Sequence, residues 1–163
     1  MSYELHAVIA GGEMLRGASR GMAATRPASI GQGLALIPMT DALSDSFAAA
    51  AAADDDADGV GIPGFWRLTE GCGKTLADWS AAGPVAYVEA EYFGGVGEQQ
   101  AAVWDGGALV LGPLHAQEGR AFPPAGSPIS QALRRLGVVA GAGEDEFSAV
   151  GLDRHRDGRA WIA

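Results

Sequence analysis

One stretch, PVAYVEAEYFGGVGEQQAAVWDGGALVLG at residues 84–112, constrains the fold more than any other part of the chain. Apolar, aromatic and polar residues alternate along it, and glycines interrupt it twice. Alternation with period two marks strands, and Asp105-Gly106 is a tight-turn dipeptide. The pattern predicts a three-stranded antiparallel meander over 85–93, 98–104 and 107–112. Chain built this way needs a sheet to complete and helices to cover it.

The first turn carries more than a hairpin requires. On an extended strand Tyr87, Glu89, Glu91 and Phe93 share one face, and Val88, Ala90 and Tyr92 share the other. The two glutamates then stand about 7 Å apart along one face. Glu98 or Gln100 on the return strand lies opposite them, according to register. Clustered carboxylates repel unless they are paired, protonated or bridged by a cation. The arrangement suits acid–base chemistry, a divalent metal with oxygen ligands, or an arginine from a partner. It equally suits a solvated sheet face whose acids meet Arg134 or Arg135. Gly94, Gly95 and Gly97 allow positive φ or close backbone approach.

Elsewhere the signals are local. Tyr3–Ala10 fits a strand with Tyr3, Leu5, Ala7 and Ile9 on one face. Leu34–Met39 is a short apolar run that Pro38 confines to a strand end or a sheet edge. Thr40 or Asp41 can cap a helix presenting Leu43 and Phe47, which frays into a flexible acidic loop at about 53–63. A helix is predicted over 74–82, with Gly71 and Gly73 marking a turn before it. Ser127-Pro128 opens another, with Ile129, Leu133 and Leu136 as its stripe and Gly137 as its stop. A short helix at 144–149 follows, and Phe147, Leu152 and Trp161 pin the tail. Together these predict a single α+β domain over 1–163. The meander and the N-terminal strand form its antiparallel sheet, with helices packed on one face.

Charge narrows the function classes. The chain carries 20 acids against 11 bases, a net charge of −9. Such a surface repels phosphate backbones, which argues against nucleic-acid binding, and it favours encounters with basic proteins. No apolar run approaches the roughly 20 residues that span a bilayer. The N-terminus lacks a basic leader and a long apolar core, so a mature cytoplasmic protein is expected. Cys72 is the only cysteine, which removes an internal disulfide and nearly excludes a cysteine-based zinc site.

Several motifs lack the context their chemistry needs. GCGKT at 71–75 resembles the end of a phosphate-binding loop, but Leu68 stands where a further glycine belongs. DDDADG at 54–59 places Asp54, Asp56 and Asp58 as in a calcium loop, but Phe65 occupies the position of the closing acid. His6, His115 and His155 are scattered, so only folding could unite them. There is no HExxH and no GxSxG. Cys72 beside Lys74 reads as a small buried residue or as an activated thiol. In DRHRDGR, Arg154, Arg156 and Arg159 form either a solvated tail or an anion-binding patch.

YVEAEYFGGVGEQQAAVW, together with SPISQALRRLGV and DEFSAVGLDRHR, resembles a family of uncharacterised actinobacterial proteins over most of residues 60–163. The resemblance implies no activity and no catalytic residues. Size and acidity are also similar to those of bacterial immunity proteins, by analogy. The leading expectation is a non-enzymatic, immunity-like or regulatory protein that binds a basic protein partner and needs no cofactor. Its contacts would be Glu89, Glu91, Tyr92, Gly94, Gly95, Gly97, Glu98 and Gln99. The alternative is a small enzyme or metal-binding protein on the same turn. There Glu89 or Glu91 would be base or ligand, Glu98 its partner, and Tyr92 a hydrogen-bond donor.

Overall fold

The computed structural model describes residues 2–20, 27–39, 70–93, 96–116, 124, 126–155 and 158–161. The helix expected from residue 41 and the acidic loop at 53–63 lie outside them. The strands are β1 (Ser2–Gly11), β2 (Ala28–Ser29), β3 (Leu34–Pro38), β4 (Val85–Phe93), β5 (Val96–Asp105) and β6 (Ala108–Ala116). They form one sheet in the order β2-β3-β1-β4-β5-β6, with every neighbouring pair antiparallel. The fold is α+β, and the meander and N-terminal strand are its centre. The run ending at Pro38 lies between β2 and β1, with the proline at its last position.

β1 occupies the middle because both of its faces are apolar. Every residue from Leu5 to Ala10 is buried, the pattern of a strand covered on both sides. Leu5, Ala7 and Ile9 join Ala86, Val88, Ala101 and Val103 on one face. That face packs on Ile129, Ala132 and Leu133 of the helix Pro128–Arg135. Val8, Ala10, Val85, Tyr87, Ala102 and Trp104 lie on the other. There they meet Leu15 of α1 (Gly12–Ala18) and Leu76 of α2 (Glu70–Trp79). Helices therefore cover both faces, not one. The alternation between Val8/Tyr87/Ala102 and Ala7/Val88/Ala101 leaves two apolar surfaces to bury, and one helical layer cannot cover both.

The third helix, α3 (Pro128–Arg135), forms where local chemistry predicts it. The Ser127 hydroxyl accepts from Ser130 N–H at 3.1 Å, Pro128 begins the first turn, and Gly137 ends the segment at φ +94°. Its docking comes from the sheet. Ile129 N–H, one of the donors a helix start leaves open, donates to Gln99 Oε1 at 2.9 Å, and Gln99 Nε2 donates to the Tyr92 hydroxyl at 2.9 Å.

α2 begins earlier than expected and continues as a 3-10 turn over Ser80–Ala82. Gly71 and Gly73 thus lie inside the helix instead of marking a turn before it. Burial of Leu76 against the sheet outweighs their poor helix propensity. GCGKT thus lies within the first turns of this helix.

Both later strands run longer than predicted, because pairing in the sheet extends them past the apolar core. Gly106 and Gly107 have φ of +62° and +86°, the double positive φ of a tight hairpin turn. The β5–β6 register shifts between Ala101 and Val103, opposite Gly112-Pro113. Proline has no N–H for a ladder, and β6 is the sheet edge that tolerates it.

The C-terminal segment closes the first face. α4 (Glu146–Ala149) is shorter than expected and starts at Asp145, whose side chain accepts from Ser148 N–H at 2.9 Å. Tyr3 packs edge-on against Phe147 and donates its hydroxyl to the Leu152 carbonyl at 3.0 Å. Burial, and then the nearby Asp153 carboxylate, push the Tyr3 phenol above its ordinary range. Leu152 and Trp161 are buried, and Arg154 lies 5.3 Å over the Trp161 ring. Among the described residues no helix is long and apolar enough to cross a membrane.

Candidate metal-binding site on one sheet face

Strand register assembles the polar end of the face that carries Val8, Tyr87 and Ala102. One cross-strand row reads Glu4, Glu91, Glu98 over β1, β4 and β5. The next reads His6, Glu89, Gln100, His115 over β1, β4, β5 and β6. Directly opposed residues have Cβ atoms about 5 Å apart, so each side chain reaches its neighbours.

The tightest group centres on His6. This imidazole is only 6% exposed. Its Nδ1 lies 3.6 Å from Glu4 Oε1, and its Nε2 lies 3.3 Å from Glu91 Oε1. Both carboxylates face solvent, at 57% and 51% exposure. One ligand atom from each of the three residues falls within 4.8 Å of the others. Donors about 2 Å from a zinc ion stand roughly 3.4 Å apart, so the two exposed carboxylates, which face different ring nitrogens, would turn toward one of them to hold an ion.

Glu89 lies beneath, fully buried, and accepts from the Tyr87 hydroxyl at 2.9 Å. Gln100 is 2% exposed, and its Oε1 meets no hydrogen-bond donor among the described residues. On the edge strand His115 Nε2 stands 3.3 Å from Glu98 Oε2, both side chains partly exposed.

The expected turn residues divide between the two faces. Glu89, Glu91 and Glu98 come together as the register alternative required. Tyr92 and Gln99 lie on the opposite face, where they hold α3, so Tyr92 does not reach the glutamates. Gly97 fills a close approach: a Cβ there would overlap the Glu91 carbonyl oxygen and stand 2.6 Å from Tyr92 Cα. Gly94, Gly95, Asp54, Asp56 and Asp58 lie outside the described residues. The arginines offered as partners serve elsewhere. Arg134 pairs with Glu146 at 3.0 Å, and Arg135 donates to the Val110 carbonyl.

Sequence reasoning missed Glu4, His6 and His115 as members of this group, and named Gln100 only as the register alternative to Glu98; both lie opposite the glutamates. Part of the signal was present: putting Leu5, Ala7 and Ile9 on one face of β1 puts Glu4 and His6 together on the other. What no local pattern shows is that β1 pairs with β4, which brings these two residues to Glu91 and Glu89.

No family model, curated protein or solved structure matches the chain.

Proposed function

We propose that the protein binds a divalent transition-metal ion through Glu4, His6 and Glu91. The observation that supports this most directly is the convergence of their three ligand atoms within 4.8 Å from two adjacent strands. An imidazole with two carboxylates suits zinc, and manganese as the oxygen-preferring comparison. Burial fixes the His6 ring, while the exposed carboxylates leave one side of the ion open to solvent, as in zinc sites with three protein ligands and a free position. Binding to the folded state alone stabilises it by about 2.7 kcal/mol at a hundredfold excess over Kd. Thermal melts with Zn2+ should therefore show a rise of several degrees, and the rise should vanish in Glu4→Gln and His6→Gln. A parent protein whose melting ignores both Zn2+ and Mn2+ would refute the reading.

A second reading keeps the basic protein partner, in a cytoplasmic setting. It is favoured by the hairpin tip, where Phe93 is 78% exposed and Val96 is also exposed, beside the solvent-facing Glu91 and Glu4. An apolar centre flanked by acids fits a basic surface with an apolar spot. Glu89, being buried, takes no part in it. Pull-downs with the parent and with Glu4→Lys/Glu91→Lys, at low and moderate salt, test it. A basic protein kept by the parent and lost from the variant supports this reading, with retention weakening as salt rises. Equal retention by both baits removes it.

A further inference from the structure

The edge half of the same face repeats the chemistry of the first half with different residues. β1 contributes Glu4 and His6 two positions apart, and β5 contributes Glu98 and Gln100 at the same spacing and on the same side. β6 then places His115 opposite Gln100, with its Nε2 3.3 Å from Glu98 Oε2. We propose that Glu98, Gln100 and His115 form a second divalent-ion position beside the first.

Two independent observations carry this. The first is the Glu98–His115 contact, a carboxylate oxygen and an imidazole nitrogen brought together across neighbouring strands. The second is Gln100. Its side chain is almost wholly buried between Glu89 and His115 in the row, yet its Oε1 meets no donor among the described residues. A buried amide oxygen left without a partner is destabilising, so such an atom needs an explanation. An amide oxygen is an ordinary ligand for a hard or borderline cation, and an ion held by Glu98 and His115 would supply its partner.

Charge in the adjoining row points the same way. Glu4, Glu91 and Glu98 stand side by side on three strands, and their ion-pair partners among the described residues are imidazoles alone. Like charges directly opposed across strands are unfavourable. One ion at His6 offsets Glu4 and Glu91 and leaves Glu98, while an ion at His115 offsets Glu98. Glu91, opposite both Glu4 and Glu98, stands between the two positions and reduces the repulsion between the cations.

The donor set is separate from that of the first site, so the two readings can fail separately. The experiment is equilibrium dialysis of the full chain against Mn2+ and Zn2+, counting bound equivalents, on the parent and on His6→Gln, His115→Gln and Glu98→Gln. His115 and Glu98 are partly exposed, so their variants should fold, which far-UV circular dichroism checks. The expected result is two equivalents for the parent and one for each variant. One equivalent that survives His115→Gln and Glu98→Gln overturns the second position and leaves the first. One equivalent that survives His6→Gln but not His115→Gln leaves the second and overturns the first. Two equivalents untouched by His115→Gln and Glu98→Gln place the second ion elsewhere and overturn the inference. No bound metal at all removes both.

Discussion

Gly97→Ala should destabilise the protein by about 3 kcal/mol or more, the upper end of what overpacking costs. The added methyl would overlap the Glu91 carbonyl and press within 2.6 Å of Tyr92 Cα. Both obstacles are backbone atoms of the paired strand, so no side-chain rotation relieves them. The β4–β5 hairpin would have to open or change register. A one-residue slip turns every side chain of β5 to the other face, taking Glu98 and Gln100 from the polar cluster and Gln99 from its bond to α3. Loss of stability should therefore come with loss of metal-induced stabilisation. Urea unfolding of parent and variant measures the first, and thermal melts with Zn2+ measure the second. A variant within 1 kcal/mol of the parent would show that β4 and β5 do not approach as described. Gly106→Ala is the useful contrast. Its Cβ would enter open space, so the cost comes only from a φ of +62° and should be about 1–2 kcal/mol.

Leu133→Ala should cost about 2–5 kcal/mol, the range for emptying a fully buried leucine site. Leu133 projects from α3 into the core formed by Leu5, Val88 and Ala101, on the face away from the histidines. Little nearby can collapse into the cavity, because alanines already line much of that surface. The midpoint of urea unfolding should fall with little change in slope. The variant protein that remains folded should still gain stability from Zn2+, since Glu4, His6 and Glu91 are on the opposite face. An unchanged midpoint would mean that α3 does not pack on the sheet. Loss of the zinc response in a folded variant would mean that the two faces are not independent.

The elements legible in the sequence share a physical property: their signals are short-range. Ser127, Pro128 and Gly137 each act within a turn of the helix they delimit, so α3 could be read without its neighbours. The meander could be read for a similar reason, since alternation and a tight turn are features of adjacent residues, although the turn falls at Gly106-Gly107, one residue later than the expected Asp105-Gly106. α2 was misjudged at its start because its two glycines argue locally against helix, and only burial of Leu76 overrides them. Helical cover on both faces was missed because alanine is ambiguous. Ala10 and Ala102 are part of a second core.

The candidate site divides along the same line. The sequence by itself placed Glu89 and Glu91 on one face, two positions apart, because strand geometry alternates side chains without exception for partners. It also placed Glu4 and His6 on the side of β1 opposite Leu5 and Ile9. Tertiary structure alone decided that these two pairs meet, that Glu98 faces Glu91, and that His115 faces Gln100. Those meetings depend on strand order and register. Both are chosen by which pairing buries the most apolar surface over the whole sheet, a global quantity that no short window of residues contains.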